Sequence, residues 1–86
     1  MNITVDGLYP VSKSGGITSV LVAGSLGGGT ATLGYTTGDG TFVPFTDGIV
    51  AIGEQYEIKH GGGIKAFIQL TGSSGADLDV QFGPIG

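Results

Sequence analysis

A glycine-rich loop is the first feature of this chain that suggests chemistry, because residues 24–29 read Gly-Ser-Leu-Gly-Gly-Gly. A phosphate-binding loop follows a strand, opens a helix and usually carries a Lys-Ser/Thr pair. Here Thr30 opens another strand-like segment and no lysine follows. We therefore interpret the stretch as a hairpin loop and not as a phosphate site.

Two pairs of carboxylates are candidate calcium ligands: Asp39 with Asp47, and Asp77 with Asp79. Calcium takes about six to eight oxygen ligands, so two carboxylates are too few on their own. We interpret the four as turn residues and a solvated strand face. A weak cation site at a subunit junction stays open as an alternative, since symmetry copies of the chain could supply the remaining oxygens.

His60 is the single histidine, and it precedes three glycines at the end of a strand-like segment. A nucleophilic triad needs a serine and an acid brought to the histidine, and the sequence has no nucleophile elbow of the form G-x-S-x-G. We expect a surface or interface histidine. The sequence therefore predicts a protein that is not an enzyme and that holds no cofactor or metal in a catalytic site.

The amino-acid composition excludes further classes of function. The 86 residues include 19 glycines, no cysteine and only three lysines without any arginine, for a net charge of −4. So few cations cannot build a phosphate-binding face, which argues against nucleic acid as a partner. No apolar run approaches the ~18 residues that cross a membrane. The chain starts with Met1 and shows no signal peptide, so we expect synthesis in a cytoplasm.

Alternation of apolar and polar residues with a period of two indicates strands throughout. The segment Thr30 to Thr36 is typical, with Ala31, Leu33 and Tyr35 on one face. About seven to nine short strands separated by turn residues predict an all-β fold without helices. We expect a small antiparallel β-sandwich, jelly-roll-like, or a barrel. Residues 1–16 form an N-terminal arm or the first edge strands, and residues 17–86 form the sandwich domain.

Single residues refine that prediction. Proline within a strand favours an edge or a bulge, which predicts edge positions for Pro10 and Pro44. The β-branched segment 17–23 predicts an inner strand. Asp39-Gly40 marks a hairpin turn. Asp47-Gly48 reads as another turn, followed by a short strand at residues 49–52.

Aromatic side chains on the outside of a small sandwich are edge cover or contact surface. We predict a subunit interface at Phe42, Phe45 and Phe67. Phe67 points away from the aliphatic face of its strand, and Phe42 and Phe45 occupy the two faces of theirs. Four threonines predicted to point outward add a flat, uncharged surface, and such sheets invite self-association. They are Thr30, Thr32, Thr36 and Thr41.

The small size of the domain also points to partners. Size scaling gives about 4,700 Å² of exposed surface for the folded monomer, which leaves a modest buried fraction. Glycine loses the most backbone entropy on folding, and the chain has no disulfide to compensate. Oligomerisation, or docking onto a larger surface, is the remaining source of stability, and we expect a homo-oligomer.

Three runs carry a resemblance to a known class of proteins: GGGTATLGYTTGDGTFVPF, GEQYEIKHGGGIKAFIQLTG and the closing DLDVQF. Between Gly27 and Phe82 the chain resembles small virion proteins of tailed bacteriophages, in particular capsid decoration, or cement, proteins. The resemblance implies a small β-sandwich, frequently a trimer, that binds and stabilises the major capsid protein lattice.

The same resemblance implies further expectations. The N-terminal segment, residues 1–16, would order on the capsid as an arm. No motif fixes individual contact residues, and our own prediction for the arm contacts is Ile3, Val5, Leu8 and Tyr9. The protein would be made in the host cytoplasm and lie on the capsid surface of the virion. The alternative is a receptor- or carbohydrate-binding tip or fibre module of a phage particle, which needs an exposed aromatic or polar pocket.

Overall fold

The computed structural model describes residues 1–11, 16–60 and 65–84 of the chain. These residues form eight strands, and no helix occurs among them. The strands are β1 (Asn2–Ile3), β2 (Gly7–Pro10), β3 (Gly16–Ser25), β4 (Thr30–Thr36), β5 (Phe42–Ile49), β6 (Gln55–His60), β7 (Lys65–Thr71) and β8 (Asp77–Pro84). The all-β class predicted from the alternation is confirmed.

The strands form two antiparallel sheets of four strands each. Sheet A has the order β1-β8-β3-β6 and sheet B has the order β2-β7-β4-β5. Among the described strands, only β4 and β5 are consecutive neighbours within one sheet, and every other connection passes to the opposite sheet. This is the strand order of a jelly roll, in which two four-stranded sheets pack face to face. The predicted jelly-roll-like sandwich is therefore observed.

The core lies between the sheets and consists of alternate side chains from both. In β8, Leu78 and Val80 are buried while Asp77 and Asp79 are exposed, as the alternation predicts. Burying a Val or Leu side chain contributes about 1.5–3 kcal/mol. The chain exposes 4746 Å², which agrees with the value expected from its length. The buried side chains of both sheets thus form one core cluster within a single copy of the chain.

The predictions for edge and inner strands are confirmed. Pro10 lies in β2 and Pro44 in β5, the two outer strands of sheet B. An outer strand tolerates proline because the proline nitrogen, which carries no hydrogen, can lie on the side without a neighbouring strand, where no ladder hydrogen bond is needed. Residues 17–23 belong to β3, which lies between β8 and β6.

The loop at residues 24–29 joins the two sheets, so the hairpin prediction was wrong. β3 belongs to sheet A and β4 to sheet B. The loop packs against the β7–β8 connection, where the Ser74 N–H donates to the Gly27 carbonyl at 2.9 Å. At Gly24 φ is +100°, and a β-carbon would lie 2.1 Å from the Asp77 carbonyl oxygen. Glycine is needed there because two backbones approach closely.

The predicted turn at Asp47-Gly48 was also wrong, as was the separate strand at residues 49–52. Both turn residues belong to β5, which ends at Ile49, and the chain turns after Val50. In the pairing of β4 with β5, Gly34 lies opposite Pro44, and Thr32 lies opposite Ile49. Four residues of β5, 45–48, therefore lie opposite the single residue Leu33 of β4. Extra residues in one strand make a β-bulge, which absorbs the Asp-Gly pair without a turn.

The Asp39-Gly40 hairpin turn is confirmed between β4 and β5. The Gly40 N–H donates to the Thr37 carbonyl at 2.9 Å. The Asp39 carboxylate accepts hydrogen bonds from the Thr37 hydroxyl and from the Thr41 N–H. These bonds, chiefly that of Thr37, lower the pKa of Asp39 to about 2.

The described part of the N-terminal segment lies within the sandwich at one edge of each sheet. β1 pairs with β8, and β2 pairs with β7. Ile3 and Val11 are buried in the core. The Val80 N–H also donates to the Met1 carbonyl at 2.7 Å. The division of the chain into an arm or first edge strands at residues 1–16 and a sandwich domain at residues 17–86 stays a prediction.

Candidate interaction surface

The outer face of sheet B presents apolar side chains in rows that cross all four strands. In one row Leu8, Gln69, Thr32 and Ile49 are paired directly from β2 to β5. Leu8 is 37% exposed and Ile49 is 70% exposed. Because directly paired residues share a face of the sheet, the two apolar side chains lie at opposite ends of a single surface.

The next row places aromatic and proline rings on the same surface. Pro10, Phe67, Gly34 and Pro44 are paired across the sheet. A β-carbon on Gly34 would lie 2.7 Å from the Phe42 ring, so this ring rests on the glycine. We call this surface of sheet B the apolar face. It comprises Leu8, Pro10, Phe42, Pro44, Ile49 and Phe67.

The two outer faces of the sandwich differ in charge. Among the strands of sheet B, the only acidic residue is Asp47 in the bulge of β5, and the only basic one is Lys65. Sheet A carries Asp77, Asp79, Glu57 and Lys59, all exposed. In a chain of net charge −4, the apolar face is a surface on which another protein meets little charge. An exposed apolar patch with a polar rim is typical of an interaction site.

The structure brings together two of the three residues predicted for a subunit interface. Phe42 and Phe67 lie on the apolar face. Phe45 packs against the core instead, with its ring centroid 4.4 Å from that of Tyr35 in an edge-to-face arrangement. Sequence reasoning missed Ile49, because it placed this residue in a strand of its own.

The four residues predicted for arm contacts are dispersed. Ile3 is buried, and Tyr9 packs against the core while its hydroxyl donates to the Val5 carbonyl at 2.7 Å. Val5 is 64% exposed in the β1–β2 connection. Leu8 lies on the apolar face. Of the four, Val5 and Leu8 therefore have side chains that a partner can reach in this conformation, and their role in contact stays a prediction.

The predicted outward threonines are only partly exposed. Thr30 and Thr41 are exposed and Thr32 is half-buried. Thr36 is buried and is paired with Phe42. Thr32 lies between Gln69 and Ile49 in the row that crosses the apolar face, so it contributes a hydroxyl group to this surface.

A shallow depression lies on the outer face of sheet A. Its volume is about 360 Å³, and its lining residues are Ser19, Leu21, Gln55, Gln81, Phe82 and Gly83. The Gln55 side-chain amide donates to the Ser19 hydroxyl at 2.6 Å. The depression offers amide and hydroxyl groups around one leucine, which suits a polar ligand held by hydrogen bonds.

Three of the four carboxylates considered for a cation, Asp39, Asp77 and Asp79, accept hydrogen bonds within the protein. Asp77 accepts a hydrogen bond from the Asn2 amide at 2.8 Å, and Asp79 accepts one from the Gln81 amide at 3.2 Å. In the described ranges no three acidic, histidine or cysteine side chains cluster as metal ligands would. A cation site shared between copies stays a prediction. The prediction for the His60 side chain lies outside the described residues.

Two further observations concern the chain as a whole. Within the described segments, no helix has the length and apolar character to cross a membrane. No protein-family model matches the chain, and neither a curated protein nor a solved structure matches it.

Proposed function

We propose that this chain is a virion structural protein without enzymatic activity, a decoration or cement protein that binds and stabilises the major capsid protein lattice of a tailed bacteriophage. The resemblance described above suggests the class, and the jelly-roll order of the strands supports it, since this architecture recurs in viral capsid domains. A shared architecture is an analogy. The proposal therefore depends on a surface suited to binding.

The apolar face is the observation that carries the proposal. It presents Leu8, Ile49 and Phe67 on a flat sheet, while the opposite side of the sandwich holds Glu57, Asp77 and other charged groups. Such a two-sided subunit can lie with sheet B against the capsid and sheet A toward solvent. Burial of apolar area then drives binding at about 25 cal/mol per Å² before the losses of entropy on association are subtracted.

Binding of this kind is strengthened by repetition. A four-stranded face is small compared with the roughly 800 Å² that each partner buries in a standard interface. A homo-oligomer presents several such faces at once, and the lattice presents matching sites at fixed spacings. Linked contacts raise the overall affinity without any new contact type. We therefore propose that the protein acts as a homo-oligomer, for which the resemblance implies a trimer.

The test is binding to expanded capsids assembled from the major capsid protein of the phage that carries this chain. The purified protein should co-sediment with these capsids and saturate at a stoichiometry set by the lattice. It should also raise the temperature at which the capsids break down. Mass spectrometry of virions should find it at a copy number matching the lattice. Absence from virions, together with no binding to capsids, would refute the proposal.

The depression on sheet A favours a second candidate function, a carbohydrate- or receptor-binding module of a phage particle. Its volume of about 360 Å³ lies near the lower end of ligand sites. The amides of Gln55 and Gln81 suit the hydroxyl groups of a sugar. A glycan array probed with the purified protein tests this candidate. Binding abolished by Gln55→Ala would support it, and an array without hits would remove it.

A further inference from the structure

The four outer strands of the sandwich differ in how they are protected against pairing with another chain. β1 has only two residues. Pro10 interrupts the hydrogen-bonding row of β2, and β5 contains both Pro44 and the bulge. Short strands, prolines, bulges and charged side chains are the usual means of blocking an edge. β6 carries charges of both signs, Glu57 and Lys59, which repel a like-charged strand but can pair with a complementary one. The other three devices differ between the outer strands. β6 has none of them: its six residues, Gln55–His60, run without proline or glycine.

Among the described strands, none pairs with the second side of β6, so we take this side as the edge that a further strand can use. β6 pairs with β3 on one side and is last in the order of sheet A. Apart from the pairing with β3, one hydrogen bond from the described residues reaches the backbone of β6. In this bond the Tyr35 hydroxyl donates to the Lys59 carbonyl at 2.6 Å. A carbonyl oxygen accepts two hydrogen bonds, so this contact leaves capacity for a ladder.

The side chains of β6 specify what such a strand should carry. Glu57 and Lys59 are exposed on the outer face, on either side of the buried Ile58. If two copies pair antiparallel about a two-fold axis at Ile58, Glu57 of each copy lies opposite Lys59 of the other. Opposite charges directly across a strand pair are favourable. We propose that β6 pairs with β6 of a second copy in this register.

Other registers are less favourable. Moving the axis to Glu57 places two carboxylates opposite each other, and moving it to Lys59 places two ammonium groups opposite each other. A slip by one residue sets the outer face of one copy beside the inner face of the other. The charge pattern of β6 is therefore complementary to itself in one arrangement.

This pairing has two consequences. It consumes the open edge of both copies, so it closes at a dimer and does not continue into a fibre. Because directly opposed residues share a face, the sheets A of both copies become one eight-stranded sheet and both apolar faces point in the same direction. The dimer contrasts with the trimer implied by the resemblance. The inference does not depend on the capsid proposal, since it rests on β6 alone.

Sedimentation equilibrium over a wide concentration series tests the inference on the full chain. The wild type should show a monomer–dimer equilibrium. Glu57→Lys and Lys59→Glu each place like charges opposite one another twice in the dimer, so each should weaken dimerisation about tenfold or more. An equimolar mixture of the two variants restores both opposite-charge pairs and should dimerise like the wild type. The exchange Glu57→Lys with Lys59→Glu in one chain should do the same.

Matched controls keep the change in net charge the same. Asp79→Lys alters the charge as Glu57→Lys does, and Lys65→Glu alters it as Lys59→Glu does, but neither residue lies in β6. Both control variants should dimerise like the wild type. A strictly monomeric or trimeric wild type would overturn the inference. So would equal weakening by the controls, or a mixture of the two β6 variants that stays monomeric.

Discussion

Asp6 accepts hydrogen bonds from both the backbone N–H and the hydroxyl of Ser73, a residue 67 positions further along the chain. Its other carboxylate oxygen accepts the Gly72 N–H at 3.0 Å. These bonds join the β1–β2 connection to the β7–β8 connection at one end of the sandwich. The Ser73 hydroxyl, together with the Ser73 and Gly72 amides, holds the pKa of Asp6 below its ordinary value.

We predict that Asp6→Ala lowers the melting temperature by a few degrees. The change removes the acceptor for the two backbone amides and frees the β7–β8 connection from the N-terminal segment. Asp47→Ala is the matched control, since Asp47 is exposed and makes no hydrogen bond to the described residues. Calorimetry of both variants measures the difference. Equal melting temperatures for the two would show that the Asp6 bonds add nothing to stability.

The hairpin carboxylate Asp39 should make stability depend on acid pH. Its pKa falls from an ordinary 3.8 to about 2 in the folded chain, chiefly through the Thr37 hydroxyl. A lowered pKa favours the charged form on folding, so its contribution is present above pH 3.8 and is lost as the pH falls toward 2. At neutral pH the wild type should therefore have a higher melting temperature than Asp39→Asn. The gap should close near pH 2, and a gap that persists there would contradict this assignment.

Local patterns in the sequence predicted the strands and the class of fold, because alternation and proline placement act on each strand separately. The inner position of residues 17–23 and the edge position of Pro44 both follow from such local rules. Contacts between distant segments were out of reach of that reasoning. No spacing in the sequence indicates that Asp6 meets Ser73.

For the candidate surface, too, local patterns predicted some residues, while residues placed by contacts between strands were missed. Alternation placed Phe67 on the face away from the core, and it placed Phe42 and Phe45 on opposite faces of one strand without deciding which of the two faces outward. Ile49 joins the aromatic residues of the apolar face because the bulge of β5 sets it opposite Thr32, and the sequence there reads equally well as a turn. The glycines at residues 24–29 were interpreted as a hairpin for a similar reason: a close approach of two backbones and a tight turn both require glycine.

Gly34 provides a direct test of how the apolar face is built. A β-carbon at this position would lie 2.4 Å from the Val43 carbonyl oxygen and 2.7 Å from the Phe42 ring. Gly34→Ala should destabilise the chain by about 1–3 kcal/mol, as overpacking does. Gly38→Ala is the control, because nothing lies within 4 Å of a β-carbon there. It should be neutral or stabilising by up to about 1 kcal/mol, as measured by urea unfolding.

The N-terminal segment should prove part of the folded core. Ile3 is 1% exposed, whereas Val5 is 64% exposed two residues later. Ile3→Ala should cost about 2–5 kcal/mol through lost burial and a cavity, and Val5→Ala should change stability by no more than about 0.5 kcal/mol. Urea unfolding measures both. A neutral Ile3→Ala would mean that the segment detaches from the sandwich and acts as an independent arm.

Two leucines of equal exposure on opposite faces test the orientation of the subunit on the capsid. Leu8 on the apolar face is 37% exposed, and Leu21 on the outer face of sheet A is 39% exposed. Leu8→Glu sets a carboxylate against the partner, and an unpaired charge at an apolar contact must be desolvated without compensation. Binding to expanded capsids should therefore weaken at least tenfold, while Leu21→Glu binds like the wild type. Melting temperatures of both variants exclude unfolding as the cause. If Leu21→Glu alone lost binding, sheet A and not sheet B would face the capsid.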